Sequence, residues 1–576
     1  MNDLREHSFM KAMFHGVIAE DLIFPYPEPQ AEEKETVALI LENLHRFAQS
    51  HVDSVAIDKE HRIPDGVLAG MKEFGLFGLI IPEAYGGLGL SNTAYARVMQ
   101  ELAAIDPSLA VTVGAHQSIG LKGILLYGNE AQKKKYLPKL ASGEWVAGFA
   151  LTEPEAGSDA ASIVTRAELL DSGDAYVLNG SKIWITNGGI GDVFTVFART
   201  NAKEEGSKPK ITALIVEREH GVTHGPSEEK MGIRGSSTTT LYFDNVRVPA
   251  ANVLGEAGRG FKVAMGILNN GRLGLAAGCV GGCRRLINLA VERVQERKAF
   301  GRAIGEFGMI KEKVARMHCE TYALEAMTYM TTSLIDHGVP DYSLESAICK
   351  VFGSETHWYV ANETLQIAAG IGYMCEYPYE RMLRDARINM IFEGTNEILR
   401  AFIALSGMQG PGKQLTEVVR AIREPIKGFG VLSDFAIQRA RTALGRERLG
   451  RVHPLLRKEA VVFEEAVGEL SRTVERVLRK HGKDIAEVQF VQKRIAEVAI
   501  DLYALACVIA RATRAIEQRG EEGARQEIDL ASGFCVLAKT RLDERLAQME
   551  REEDELLKKI AGQVYEDGGY RLDVTA

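Results

Sequence analysis

The sequence predicts a mainly α-helical chain with a central β domain, and three observations carry that reading. Helical stretches, with apolar residues at three- and four-residue steps, fill roughly residues 31–141 and 256–408. Between them, from about 145 to 252, β-branched and aromatic residues take over and the period falls to two. Beyond Gly410-Pro411-Gly412, which reads as a linker, a separate helical stretch runs to the end. The domains drawn this way are 1–144, helical; 145–253, β; 254–408, a helical bundle; and 409–576, an additional helical domain.

Each element has its own signal. Ala94 to Ala104 reads as a helix, and Lys133-Lys134-Lys135 as a solvated helix face. Asn179-Gly180, inside Ala175 to Thr186, predicts a hairpin turn, because that dipeptide suits the turn whose twist matches paired strands. Val193–Phe197, Ile211–Val216 and Thr240–Phe243 are further strand candidates, and a barrel or sandwich fits them. Leu286, Ala290 and Val294 resume helical spacing. Val491, Ile495, Val498, Leu502, Leu505, Ile509, Ala512 and Ile516 mark one apolar face sustained over several turns, the pattern of a core helix in a bundle.

The bulk properties exclude several classes. With 576 residues, 46% hydrophobic and 26% charged, the chain is of ordinary globular composition. A net charge of −9 argues against nucleic acid as the main partner. Seven cysteines without a regular framework suit a reducing compartment. Cys279 and Cys283 lie one turn apart without a second metal-ligating pair, so they read as packing residues. The amino-terminal residues mix acids and bases and lack the apolar core of a signal peptide, so a cytoplasmic setting is expected. Arg420, Arg423, Lys427, Arg439, Arg441, Arg446, Arg448 and Arg451 alternate with Ile426, Phe429, Val431, Leu432, Phe435 and Ile437. That composition suits either peripheral contact with a membrane surface or a plain helix with solvated arginines.

The chemistry concentrates in a few motifs. Phe392-Glu393-Gly394-Thr395 places a carboxylate at a helix break, where glycine permits a tight turn; by itself the pattern suits either a partly buried general base or a solvated glutamate. Phe149-Ala-Leu151-Thr152-Glu-Pro-Glu-Ala-Gly157-Ser158-Asp159 runs a strand into a turn flanked by hydroxyls. Trp184-Ile-Thr186-Asn-Gly puts an indole and a hydroxyl on one face of a strand. Neither a dinucleotide glycine fingerprint nor a P-loop is present.

Together with Arg297-Lys-Ala-Phe300-Gly and Gln366 to Gly372, and in this order, these segments resemble the acyl-CoA dehydrogenase family over most of residues 40–405. Gly114-Ala-His-Gln-Ser-Ile-Gly120, Asn269-Asn-Gly-Arg272 and the extra carboxy-terminal region look like its very-long-chain branch. The resemblance implies an N-terminal helical domain, a β-barrel, a four-helix bundle and non-covalent FAD. It implies that Glu393 removes the α-proton of an acyl-CoA while a β-hydride passes to the flavin. The product would be a trans-2-enoyl-CoA, with electrons handed to electron-transferring flavoprotein. An oxidase, a dehydrogenase of an unusual acyl thioester, and a scaffold that keeps the fold are the competing readings.

Site roles carry over by the same resemblance. Phe149, Leu151, Thr152, Gly157, Ser158, Trp184 and Thr186 would hold the flavin. Arg297 and Phe300 would reach the FAD of a neighbouring subunit, with Gln366, Gly370, Thr395 and Glu397 also near it. Ser158, Arg272 and Gly394 are expected at the substrate, although a structural ion pair is the competing role for Arg272. Gly271 stands where a minority of the family carries its base, so Glu393 keeps that role. Ala299 and Ala369 depart from the family's usual Thr and Gly. Val111, Gly114 and Ala115 are small or apolar at the pocket floor, so a long acyl chain is expected. The carboxy-terminal region would cover a second interface, making a homodimer the expected oligomer rather than a tetramer.

Overall fold

The computed structural model describes residues 8–200, 210–423 and 447–573. It divides into two compact units, Tyr26–Ile398 and Met1–Pro25 with Leu399–Ala576.

In the first unit, the helices Ala31–His51, Asn92–Ile105 and Pro107–Gly114 precede the sheet. Their ends are set locally. Ser91 Oγ accepts from the Ala94 N–H at 3.0 Å, and Asp106 Oδ1 accepts from Ser108 N at 2.8 Å. Pro107 follows Asp106 at the first helical position, where its missing N–H costs nothing. The chain then widens into a π-helical turn, Ala115–Gly120, of the kind that often marks a functional site. Pro107–Tyr127 is apolar and long enough to cross a membrane by composition, yet most of it is buried inside this unit.

The β domain is one seven-stranded sheet of β1 (Ala147–Ala150), β2 (Arg166–Leu169), β3 (Ala175–Thr186), β4 (Val193–Arg199), β5 (Ile211–Glu217), β6 (Thr223–Ser227) and β7 (Thr238–Pro249). The order is β1-β4-β2-β3-β7-β6, with β5 also on β4. The strands surround one apolar cluster that includes Leu178, Phe194, Val196, Leu214, Val216, Leu241 and Val248. Alternate residues of β4 and β5, among them Val193, Phe197, Ile211 and Ile215, pack instead with Ile124, Leu137, Leu140 and Ile267. These two strands are buried on both faces, which is why they read as unbroken apolar runs.

The hairpin expected at Asn179-Gly180 does not form, because β3 runs straight through it. The dipeptide makes a bulge, with a register shift against β7 between Leu178 and Gly180. Gly180 has φ 145°, and a Cβ there would lie 2.5 Å from Thr165 Oγ1. The glycine serves close approach inside a strand, a use the turn signal does not separate from a hairpin.

The helical part of this unit is led by Gly260–Glu296, which packs against Asn92–Ile105, Gly308–Asp336 and Ser343–Ala368. The crossing with Asn92–Ile105 is so close that a Cβ at Gly281 would sit 1.8 Å from the Gln100 carbonyl.

In the second unit, Phe9–Phe14 packs with the helix Arg457–His481, beside Gln489–Gly523 and Arg525–Ala547. All eight residues of the apolar face read from Val491 to Ile516 are buried. Asp501 is gripped by Arg541, at 2.7 Å, and by Arg545.

Two boundaries therefore differ from expectation. The described residues before Pro25 belong with the carboxy-terminal helices and not with 26–144: the Phe9 ring lies 6.1 Å from that of Tyr503, and His15 Nδ1 is 3.1 Å from Gln414 Oε1. Gly410-Pro411-Gly412 is no linker but lies inside the helix Asn396–Arg423. Its glycines leave space for neighbours, since a Cβ at Gly407 would meet the Phe14 ring at 2.3 Å and one at Gly410 would meet His15 Nε2 at 2.5 Å. Residues 424–446, which carry most of the arginine-rich segment, lie outside the described residues. At its edge Arg451 pairs with Asp21 and donates to Phe24 O at 3.0 Å, so it is not a freely solvated cation.

Candidate active site

A cavity of about 390 Å3 lies in the first unit, within the size range of small-molecule sites. Several segments build its walls. Val111, Gly114, Ala115, Ser118 and Ile119 come from the helix and π turn; Gly271, Gly274, Leu275, Gly278 and Gly282 from one face of Gly260–Glu296; and Thr186, Phe392 and Glu393 close one end. The glycine spacing of three and four residues turns a smooth, side-chain-free stripe of helix toward the cavity. The expected floor residues Val111, Gly114 and Ala115 are all there.

Glu393 sits in the turn between Ile388–Met390 and Asn396–Arg423, in left-handed backbone with φ 59°, followed by Gly394 at 92°. A non-glycine residue held there is strained unless its surroundings fix it, and two buried cations do so. Arg272 Nε donates to the Glu393 carbonyl at 3.3 Å, while Lys350 Nζ donates to Gly394 O at 2.7 Å and Asn396 Oδ1 at 2.8 Å. Ser354 Oγ and Asn396 Nδ2, 3.0 Å apart, extend the brace.

The carboxylate itself is left free for chemistry. Glu393 Oε2 is buried without a hydrogen-bond partner, and the Glu393 N–H has no backbone acceptor among the described residues. Burial raises the carboxyl pKa from its ordinary 4.5 to about 7, against the opposing pull of Arg272 and Lys350. A Cβ at Gly271 would come within 3.0 Å of Oε2, so glycine at that position is space kept for the base.

Beside the cavity mouth, β3 ends in a second bulge, between Lys182 and Ile185. Trp184 there has φ 56° and is 63% exposed, a large indole face offered to a planar partner. Thr186 lines the cavity. Asn187, at φ 64°, donates to Thr112 O at 3.0 Å and Ala147 O at 3.2 Å, pinning the strand end to the helical wall.

The loop 151–158 is anchored from beneath. Lys182 Nζ donates to Leu151 O at 3.0 Å and to Glu153 Oε1 at 2.6 Å, and Glu153 also accepts from Val164 N and Thr165 N. This ion pair is buried, and burial lowers the Lys182 pKa to about 8. Thr152 is half-buried, while Gly157 and Ser158 are exposed. An exposed indole, a hydroxyl at the cavity wall and a braced loop with a bare glycine suit a flat ring system with a phosphate tail, and a flavin fits them.

The remaining expected residues divide. Phe149 is half-buried, with its ring 5.1 Å from that of Phe197, and is not among the residues lining the cavity. Arg272 does not line the cavity; it donates to the Glu393 carbonyl and to Asn269 Oδ1, contacts that suit a positioning role. Gly394 likewise spends its carbonyl on Lys350. Arg297, Gln366, Gly370 and Glu397 are exposed, as is Phe300 at 94%, and none of these lines the cavity. Thr395 Oγ1 accepts from Ile398 N at 3.4 Å, as a helix cap.

Four residues contribute beyond those expected. Lys350 interrupts an apolar helical run, Ala347-Ile-Cys-Lys-Val-Phe, which is a readable sign of a buried cation with a specific partner. Lys182 and Glu153 lie inside the quoted motifs, but only the fold brings them together. His116 Nδ1 accepts from Ala147 N at 2.9 Å while Nε2 faces the Phe77 and Leu140 carbonyls, so it ties the π turn to β1 as a neutral imidazole.

Comparison with known proteins agrees with this geometry. Four family models match: "Acyl-CoA dehydrogenase, N-terminal domain" over residues 34–144, its "middle domain" over 148–246, its "C-terminal domain" over 258–408, and "ACAD9/ACADV, C-terminal domain" over 454–570. The chain is 45% identical to the mitochondrial very long-chain specific acyl-CoA dehydrogenase of Rattus norvegicus, covering 98% of this chain and 88% of that protein. The structure of an acyl-CoA dehydrogenase complexed with FAD from Bacillus anthracis superposes with a TM-score of 0.77, at 32% identity, covering 97% and 99% of the two chains. A chain from a study of the electron transferring flavoprotein of Acidaminococcus fermentans superposes with a TM-score of 0.62, at 36% identity, covering 66% of this chain and 98% of that one.

Proposed function

The chain belongs to the acyl-CoA dehydrogenase family, and from that premise we propose how its residues carry out the FAD-dependent α,β-dehydrogenation of a long-chain acyl-CoA. The product is the trans-2-enoyl-CoA, and the electrons pass on to electron-transferring flavoprotein. The observation that carries this reading is the unpartnered, buried Oε2 of Glu393 at the wall of a cavity lined beside it by Ile119, Phe392 and bare glycines.

Ionised Glu393 takes the α-proton. A free carboxylate is far too weak a base for that carbon acid, so the charge developing on the thioester oxygen must be met by a donor already in place. The Glu393 N–H is such a donor. The fixed charges of Arg272 and Lys350 lie nearby and hold that N–H in orientation through the turn's carbonyls. An acyl chain filling the cavity excludes water and raises the base strength further. Leu151, Thr152, Gly157, Ser158, Trp184 and Thr186 would hold the flavin, which when bound supplies the acceptor for the β-hydride. The exposed Arg297, Phe300, Gln366 and Gly370 suit a second copy of the chain, and a homodimer is the matching assembly.

Anaerobic addition of palmitoyl-CoA to the yellow holoenzyme should bleach the flavin, and Glu393→Gln should bind FAD yet stay yellow. A flavin inert in the parent protein would favour the scaffold reading, and rapid peroxide formation in air would favour an oxidase.

A further inference from the structure

The end of the cavity opposite Glu393 is not apolar. Gly271 lies against the base and Arg285 lines the other end, fourteen residues along the same helix. At the helical rise that separation is about 21 Å. His357, against Gly282 three residues before Arg285, its neighbour Asn389 and Arg381 line the cavity with it. An alkyl terminus would gain nothing from such neighbours, and polar groups facing an apolar chain lose hydration without compensation.

The charges there are not spent on one another. Arg285 is exposed, and neither it nor Arg381 forms a hydrogen bond or an ion pair within 4 Å among the described residues. The acids that Arg381 feels are already engaged: Asp58 is held by Arg384 at 2.7 and 2.9 Å, and Asp106 accepts from Ser108 N and Leu109 N. Two acids share the lining. Asp385 accepts from Ile233 N, and burial raises its pKa to about 7; Asp53 caps its helix through Val55 N and Ala56 N. His357 is neutral, since burial lowers its pKa to about 4, and its Nδ1 lies 3.3 Å from Asn389 Nδ2. A Cβ at Gly282 would stand 2.3 Å from His357 Nε2, so glycine there admits the imidazole to the wall.

We infer that this far end is a subsite for an anionic group at the ω end of the acyl chain, so that the enzyme takes long-chain dicarboxylic acyl thioesters as well as monocarboxylic ones. The guanidinium forks of Arg285 and Arg381 suit a carboxylate, and Asn389 offers an amide beside them. The inference rests on the dehydrogenase reading and adds a substrate class to it.

The test compares kcat/KM for hexadecanedioyl-CoA and palmitoyl-CoA with the holoenzyme, the parent chain beside Arg285→Ala and Arg381→Ala. Octanedioyl-CoA serves as a length control too short to span the cavity. The parent should turn over hexadecanedioyl-CoA at least as well as palmitoyl-CoA, and octanedioyl-CoA much less. Each variant should lower the dicarboxylic-to-monocarboxylic ratio by about ten- to hundredfold, the loss of a hydrogen bond to a charged group. Turnover of palmitoyl-CoA alone, or a ratio unmoved by either variant, would overturn the subsite and leave the dehydrogenase intact. Inactivity with all three would instead overturn the dehydrogenase reading beneath it. Arg285→Lys keeps the charge and should retain part of the ratio, which a general folding defect would not produce.

Discussion

Replacing Glu393 by glutamine keeps the shape of the side chain and removes its ionisation, so it isolates what burying that charge costs the fold. The carboxyl pKa rises from 4.5 to about 7 on folding, with burial as the main cause. A rise of about 2.5 corresponds to about 3 kcal/mol. The folded state holds the proton more tightly than the unfolded chain, so the penalty is absent below about pH 4.5. It grows as pH rises through the window from 4.5 to about 7, and it is fully present above that. Glu393→Gln should therefore resemble the parent in urea unfolding at pH 4.5 and exceed it by up to about 3 kcal/mol at pH 8, both proteins carrying FAD. The stabilised protein should be the dead one, the trade expected where a base is held against its own solvation. Equal stability of the two at pH 8, or a less stable variant there, would refute the claim that Glu393 is a desolvated, unpartnered carboxylate.

Other outcomes follow from the same contacts. In the parent enzyme kcat/KM should rise with pH through an apparent pKa near 7, the free-enzyme value of the base. Lys350→Met removes a charge that lowers the Glu393 pKa, strands Gly394 O and leaves Asn396 Oδ1 only its bond from Ser354 Oγ. That profile should move to higher pH, with kcat falling about tenfold or more; an unmoved profile would separate Lys350 from the base. Lys182→Met leaves Glu153 buried and unpaired, which costs about 3–5 kcal/mol. The purified protein should melt earlier and lose FAD on gel filtration, and full flavin content would contradict the anchoring role given to the pair. Gly281→Ala puts a methyl 1.8 Å from the Gln100 carbonyl and should force the two helices apart, giving little soluble protein. A soluble variant with the parent's melting temperature would show that the crossing is looser than described.

Much of this site was legible because its chemistry sits in contiguous residues. Local pattern marks Glu393, beside glycine after an apolar run, and Trp184 and Thr186, two apart in a strand, but their roles come from the family resemblance. The register shift between Lys182 and Ile185 breaks strict alternation there, and Trp184 stands 63% exposed while Thr186 lines the cavity. What sequence hid was contact between distant segments. Lys350 finds Gly394, Lys182 finds Glu153 and Gln100 meets Gly281 only when the helices and strands have crossed. The two glycine misreadings share one cause. Asn179-Gly180 and Gly410-Pro411-Gly412 were read as punctuation, yet at Gly180, Gly407 and Gly410 glycine makes room for Thr165, Phe14 and His15. Local signals report that a side chain is missing; which neighbour needs the space is a tertiary fact. Arg272 shows the same limit, since nearness to the cleft is visible in the motif but the carbonyl it braces is not.

Proton removal can be watched apart from electron transfer. A 3-thia acyl-CoA, whose sulfur replaces the β-carbon, has an α-proton to lose but no β-hydride to give. Incubated in D2O with the FAD-loaded enzyme and followed by NMR, its α-position should exchange rapidly with the parent protein and at the uncatalysed rate with Glu393→Gln. Exchange by the variant at the parent's rate would mean that another group is the base.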